Sequence, residues 1–327
     1  MASHANGIPE PANFALVRHE PPPLPQGGVL VAIAYASVDP GMRGWVSVEK
    51  NYLTVPVGMV MRAAAVGEVI ASDHDDYRPG DMVYGMFGWT TCFAAQSRDI
   101  YWKIDTALAP LLAWLGVLGI NGITAWVGYR HFGRPKLTDT LLVTTAAGSV
   151  GSVVGQLAAA DGVRAVGLAG GADKARLAET VFGYRRAIDY RATDLSAALS
   201  EACADGIDIF YDNVAGVQAD AVFALLNPRA RVVQCGSASI ASWTPWPQGP
   251  RREREMIVKR LSWHGFVVSD HADLYPAALD ALQSLYRTGR LIAREHVLDG
   301  LEAAPGAIKY LYSGANSGKL CIRISRG

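Results

Sequence analysis

The stretch Leu141-Leu142-Val143-Thr144-Thr145-Ala146-Ala147-Gly148-Ser149-Val150-Gly151-Ser152-Val153-Val154-Gly155 decides how the chain folds. An apolar run ends in a turn of small residues, and a second apolar run of helical type follows. Ala146-x-Gly148-x-x-Gly151 has the spacing of the dinucleotide fingerprint, with alanine in place of the first glycine. Glycines there let the backbone turn tightly and approach a pyrophosphate. The new helix aims its N-terminal N–H groups at that anion. Glycines also serve plain turns and close helix packing, so the spacing alone says little. The strand expected before it and the helix expected after it supply the context that the motif needs.

Working outward, the region from about Asn121 alternates strand and helix, the texture of a parallel sheet. Strands are expected at 141–145, 163–169, 186–190, 208–213, 231–236 and 261–268. Helices are expected at 151–161, 172–181, 195–204, 219–226 and 251–260, with another at 274–286 leading out. Six strands joined by helices is the doubly wound count, which puts ligands at the carboxyl ends of the strands. The segment before residue 118 instead looks β-rich. Val29–Ala36, Gly67–Ile70 and Asp81–Tyr84 read as strands among proline and glycine clusters such as Arg78-Pro79-Gly80-Asp81. The tail ends in Gly318-Lys319-Leu320-Cys321-Ile322-Arg323-Ile324, which alternates like a strand and has no place in a finished six-strand sheet. It is expected to return to the first domain. The fold class is therefore α/β: a Rossmann doubly wound parallel sheet plus a β-rich, barrel-like domain. The expected division is 1–118 with 290–327 for the barrel-like domain, and 119–289 for the nucleotide-binding one.

Composition narrows the function. The 327 residues are 50% hydrophobic with a formal net charge of zero, which argues against nucleic acid or an anionic membrane as partner. The longest apolar run, residues 108–120, suits a buried helix and is too short to span a bilayer. Cys92, Cys203, Cys235 and Cys321 lie far apart without metal spacing and read as reduced thiols of a cytoplasmic protein. Catalytic zinc in two-domain dehydrogenases wants Cys, His and often Glu ligands. No cysteine precedes Cys92, and His74 sits in an acidic loop, so no metal site is expected.

The second strand bears on the nucleotide. In NAD-binding versions an acidic residue about 20 positions beyond the glycines holds the ribose 2′-hydroxyl. Here the strand ends Leu168-Ala169-Gly170-Gly171-Ala172-Asp173-Lys174, with no acid at its tip. Space at Gly170 and charge at Lys174 suit a 2′-phosphate, so NADP(H) is the better reading. With no metal and no nucleophile constellation, the chemistry left is hydride transfer, and hydrogen-bond donors must polarise the substrate. Tyr52 is one candidate, although most tyrosines simply pack their rings. Trp243 and Trp246 follow the fifth strand, where they would either wall an apolar pocket or pack against a neighbouring surface.

Ser37-Val38-Asp39-Pro40-Gly41-Met42-Arg43 resembles the S-x-D-P-Y-M-R signature of the zinc-independent medium-chain reductases. These are the leukotriene B4 12-hydroxydehydrogenase, prostaglandin reductase and curcumin reductase group, also called alkenal double-bond reductases. The similarity continues in Gly88-Trp89-Thr90-Thr91, Ala146–Gln156, Tyr211-Asp212-Asn213-Val214, Cys235-Gly236, Gly265-Phe266-Val267-Val268 and Gly314–Lys319. The resemblance implies a GroES-like catalytic domain, a Rossmann domain, a cleft between them and a homodimer. It implies NADPH and reduction of the C=C bond of small apolar enones or enals. By matching position, Gly148, Ser149, Val150 and Gly151 would hold the pyrophosphate, and Gly170, Lys174 and Tyr190 the 2′-phosphate end. Asn213, the Cys235–Ser239 turn with Gly236 and Ser237, Phe266–Val268 and Asn316 would line the nicotinamide side. Tyr52 falls where the family has a tyrosine near the substrate carbonyl. Gly41 departs from the signature's tyrosine, and Ser237–Trp243 lacks a tyrosine that the family usually carries there. An NADPH:quinone oxidoreductase of the same superfamily, or a non-catalytic NADPH-binding protein, are the alternatives.

Overall fold

Two runs of strands bracket a parallel sheet in the computed structural model, which describes residues 1–192 and 194–324. The positions 325–327 of the expected tail segment lie outside the described residues. Strands β1 (Val29–Ser37), β2 (Ala65–Ser72), β3 (Met82–Gly85), β4 (Cys92–Ala95) and β5 (Ile100–Lys103) come first. Six more follow: β6 (Thr140–Thr144), β7 (Arg164–Ala169), β8 (Arg186–Asp189), β9 (Ile207–Asp212), β10 (Leu226–Gln234) and β11 (Ser262–Gly265). Strands β12 (Glu295–Asp299) and β13 (Lys319–Arg323) close the chain. Contacts divide the chain into two compact units, Met1–Gly119 with Arg294–Gly327, and Ile120–Ala293.

In the first unit the sheet order is β12-β13-β1-β2-β3-β5, with β4 also paired to β1. The expected return of the tail is present: β13 pairs antiparallel with β1, Ala36 opposite Ile322. Alternation drives this sheet. Val29, Val31 and Ile33 of β1 face one core with Val83, Phe87, Leu320 and Ile322. Each such aliphatic burial stabilises by about 1.5–3 kcal/mol.

In the second unit the order β11-β10-β9-β6-β7-β8, all parallel, is that of a doubly wound sheet. β6 is buried on both faces, so it reads as an apolar run without alternation. Leu142, Val166, Phe210 and Val232 pack one face, with Phe223 from a covering helix. The fingerprint helix, Ser149–Asp161, is buried at Val153, Val154 and Leu157.

Two expected helices are corrected and one helix is added. The apolar run 108–120 is not one helix: Leu111–Leu115 is helical, the chain turns at Gly116, and a new helix begins at Ile120. Pro110 and Gly116 cap the short segment at its two ends. The helix expected at 219–226 lies at Gly216–Phe223, and Leu226 already belongs to β10, pairing with Ile207. Asn227-Pro228 is accommodated where the β10 register shifts between Leu226 and Arg231. The helix Ala304–Ser313 in the tail was not anticipated.

Candidate functional site

The turn after β6 carries the first part of the site. Thr145 has φ 55°, a left-handed conformation that β-branched residues avoid and that costs about 1–3 kcal/mol. Its hydroxyl donates to Thr144 O at 2.7 Å, and its carbonyl accepts the Gly148 amide at 2.8 Å. A Cβ on Gly151 would stand 2.2 Å from Thr145 O, so only glycine allows this close approach of helix and turn. Ser152 N to Gly148 O, at 2.9 Å, starts the helical ladder. The amides of Ser149, Val150 and Gly151 therefore lie ahead of it, in the first turn where N–H groups lack intrahelical acceptors. Ser149 Oγ is buried without a protein partner. A row of amides at a helix N-terminus beside such a hydroxyl fits an anionic diphosphate.

Space and positive charge meet at the tip of β7. A Cβ on Gly170 would lie 2.8 Å from Tyr190 Oη and 3.2 Å from Arg191 Nε. Lys174 is half-buried, and burial and the charge of Arg191 push its ammonium below the usual lysine range. Asp189 Oδ1 accepts the amides of Gly171 at 2.9 Å and Arg191 at 3.0 Å, so that carboxylate organises the loop. Asp173 pairs with Arg176 on the exposed helix face. Arg191 was missed by the sequence reading. Its signal was the end of the third strand, which a doubly wound order places beside the second.

The carboxyl ends of β6, β9 and β10 are tied together by Asp212. This buried carboxylate accepts Thr144 Oγ1 at 3.1 Å, Val214 N at 2.9 Å, Ala215 N at 3.0 Å and Gln234 Nε2 at 3.0 Å. Burial raises its pKa against the lowering effect of these donors. Asn213 Nδ2 donates to Thr144 O at 2.8 Å, and the Cys235 amide donates to Asp212 O at 2.8 Å. A cavity of about 660 Å³ opens there, lined by Cys235, Gly236, Ser237, Trp243 and Phe266 among others. Of the expected residues, Asn213 and Val268 do not line it, whereas Phe266 and Val267 do. Trp246 is not on the cavity either: it is 72% exposed and packs against Trp243 in a tilted arrangement, with ring centres 5.2 Å apart. Ala215 and Trp263 line the cavity without having been anticipated. Burial pushes the Cys235 thiol up to about 12.

The first unit holds the remaining candidates. Tyr52 is 65% exposed, and its Oη accepts a hydrogen bond from Trp45 Nε1 at 2.9 Å. The loop leading to Trp45 is locked from below. Buried Lys319 donates to Ser37 Oγ at 2.5 Å, Asp39 Oδ1 at 2.5 Å and Val38 O at 3.2 Å. Asn316 is buried, and its Nδ2 donates to Gly318 O at 3.0 Å, which shapes the turn before β13.

Among the described residues no group of three or more His, Cys, Asp or Glu side chains is arranged to hold a metal ion. No helix among them is long and apolar enough to cross a membrane.

Comparison with known proteins identifies the lineage. The model of the N-terminal domain of oxidoreductases matches residues 1–102, and that of zinc-binding dehydrogenases matches 149–284. The chain is 38% identical to an NADPH-dependent curcumin reductase of Escherichia coli, over 99% of this chain and 96% of that one. It is 35% identical to an NADP(+)-dependent 2-alkenal reductase of Nicotiana tabacum, over 93% and 90% of the two chains. Among solved structures, CurA of Vibrio vulnificus in complex with NADPH superposes with a TM-score of 0.92 at 36% identity, covering 100% of this chain and 98% of that one. The chain thus belongs to the medium-chain dehydrogenase/reductase superfamily, in its curcumin, alkenal and prostaglandin reductase group.

Proposed function

We propose that this chain reduces the C=C bond of α,β-unsaturated ketones and aldehydes with NADPH. Kinship with reductases named for curcumin and 2-alkenals supports the reaction class. The observation that carries the reading on this chain is the exposed Tyr52 phenol, oriented by Trp45 on a loop that buried Lys319 holds in place.

The unit Ile120–Ala293 is the nucleotide-binding domain, and the barrel-like unit carries the acid. Gly148, Ser149, Val150 and Gly151 hold the diphosphate. Lys174, Tyr190 and Arg191 surround the 2′-phosphate, with Gly170 leaving room. Asn213, Cys235, Gly236, Ser237 and Phe266 shape the nicotinamide side, and Trp243 walls the substrate region. Bound NADPH supplies the hydride, delivered to the substrate β-carbon. Tyr52 Oη donates to the substrate carbonyl, where negative charge develops, and so stabilises the enolate. The α-carbon then takes a proton from Tyr52 or from water.

The protein acts as a cytoplasmic homodimer. The open edge of β11, with Trp263 42% exposed on it, supports pairing of two copies. The free thiols Cys92, Cys203, Cys235 and Cys321 support a reducing compartment. A panel of enals, cyclic and aryl enones and quinones, followed by NADPH oxidation, tests the assignment. Turnover of enones and enals is expected, and turnover of quinones alone would replace it with the quinone reductase reading.

A further inference from the structure

Gly41 is a glycine that its backbone does not require. Its φ of −59° and ψ of −26° are ordinary right-handed values open to any residue. Glycine there forgoes stability, because it loses more conformational freedom on folding than alanine does. The position is nonetheless rigid. Asp39 is bound by Lys319, the Pro40 carbonyl accepts Tyr312 Oη at 3.0 Å, and the buried Arg43 lies 4.8 Å over the Tyr312 ring. The amides of Gly44 and Trp45 both bond back to Gly41 O, at 3.0 Å and 3.3 Å. A Cβ built on Gly41 would sit 3.5 Å from Tyr52 Oη and 3.9 Å from the Trp45 ring. Those are plain van der Waals contacts, so alanine fits without strain. Gly41 is itself exposed. A fixed, solvent-open gap thus stands beside the hydroxyl assigned to the substrate carbonyl.

We infer that Gly41 is a specificity-determining residue: the space left by its absent side chain receives the substituent borne by the substrate's carbonyl carbon. This rests on the assignment of Tyr52 as the carbonyl donor. A group bonded to the carbonyl carbon must lie beside whatever donates to the carbonyl oxygen. Aldehydes place only hydrogen there and do not need the gap. Methyl ketones fill it in part, and aryl ketones need most of it. The chain is thereby suited to ketones with bulky acyl-side groups.

The test compares the parent enzyme with Gly41→Ala and Gly41→Val on three substrates that share one alkene end: an enal, a methyl enone and an aryl enone. NADPH binding, followed by quenching of protein fluorescence, is measured in parallel as a control on folding. The valine variant should lose about tenfold or more in kcat/KM for the aryl enone, the scale of a misfitted apolar group. It should stay within about twofold for the enal, with alanine falling between and NADPH affinity unchanged in all three proteins. If the parent reduces these substrates but valine lowers all of them equally, or none, the inference is overturned while the reductase assignment stands. If the parent reduces none of them, the reductase assignment falls and takes this inference with it.

Discussion

Trp45 Nε1 donates a hydrogen bond to Tyr52 Oη across 2.9 Å. An indole N–H only donates, so in this pair the phenol oxygen is the acceptor and its own proton is directed elsewhere. The contact also favours negative charge on that oxygen, as an acid that gives up a proton requires. Tyr52→Phe should therefore lower turnover of enones by about 10² or more while leaving NADPH affinity within about twofold. Trp45→Phe should cost less, about tenfold, because it disturbs the orientation of the phenol and not its presence. Steady-state kinetics with a parallel NADPH titration separates the two. Unchanged turnover in Tyr52→Phe would remove the phenol from the mechanism.

The two cations at the tip of β7 make a prediction about nucleotide choice. Arg191→Ala should weaken NADPH binding about tenfold, the scale of one charge-assisted hydrogen bond, and leave NADH binding unchanged. Lys174→Ala should act in the same sense. Titration calorimetry with both nucleotides checks this, and equal loss for NADPH and NADH would place neither residue at the 2′-phosphate.

Gly151→Ala pits a methyl group against Thr145 O at 2.2 Å. The helix must retreat from the turn, so affinity for NADPH and NADH alike should fall by well over tenfold, and stability by about 1–3 kcal/mol. This separates the diphosphate cradle from the 2′-phosphate tip, where the losses are selective.

Glu295 offers a pH signature away from the chemistry. Its Oε1 is buried without a partner, and desolvation raises its pKa above the usual glutamate range. The folded state therefore holds this proton more tightly than the unfolded chain does. The stabilisation is fully present below the ordinary glutamate pKa and is lost as pH rises through the raised value. Glu295→Gln removes the ionisation. Its Tm should gain on the parent's as pH increases from the ordinary glutamate range through the raised one, and a constant difference between the two would contradict the assignment.

Legibility followed physical proximity along the chain. β6 and its glycine turn were readable because a strand buried on both faces is a continuous apolar run, and the helix begins within a few residues of it. The return of β13 was readable because six strands already completed the sheet. The helix at Gly216–Phe223 begins earlier than its apolar pattern suggests, because Leu226 extends that pattern whereas pairing with Ile207 claims the residue for β10. In the site, the cradle residues are consecutive and were found together. Arg191 and Ala215 were not, since a parallel sheet assembles its ligand end from strands far apart in sequence. Likewise Trp246 looked equivalent to Trp243, and only the path of the loop puts Trp243 on the cavity and leaves Trp246 outside.

In the proposed reaction hydride reaches a conjugated alkene carbon while Tyr52 holds the carbonyl. Reduction of an enone with NADPH deuterated on the nicotinamide ring, followed by NMR of the product, tests it most directly. The expected product is a saturated ketone carrying deuterium on the β-carbon. An allylic alcohol with deuterium on the former carbonyl carbon would contradict it.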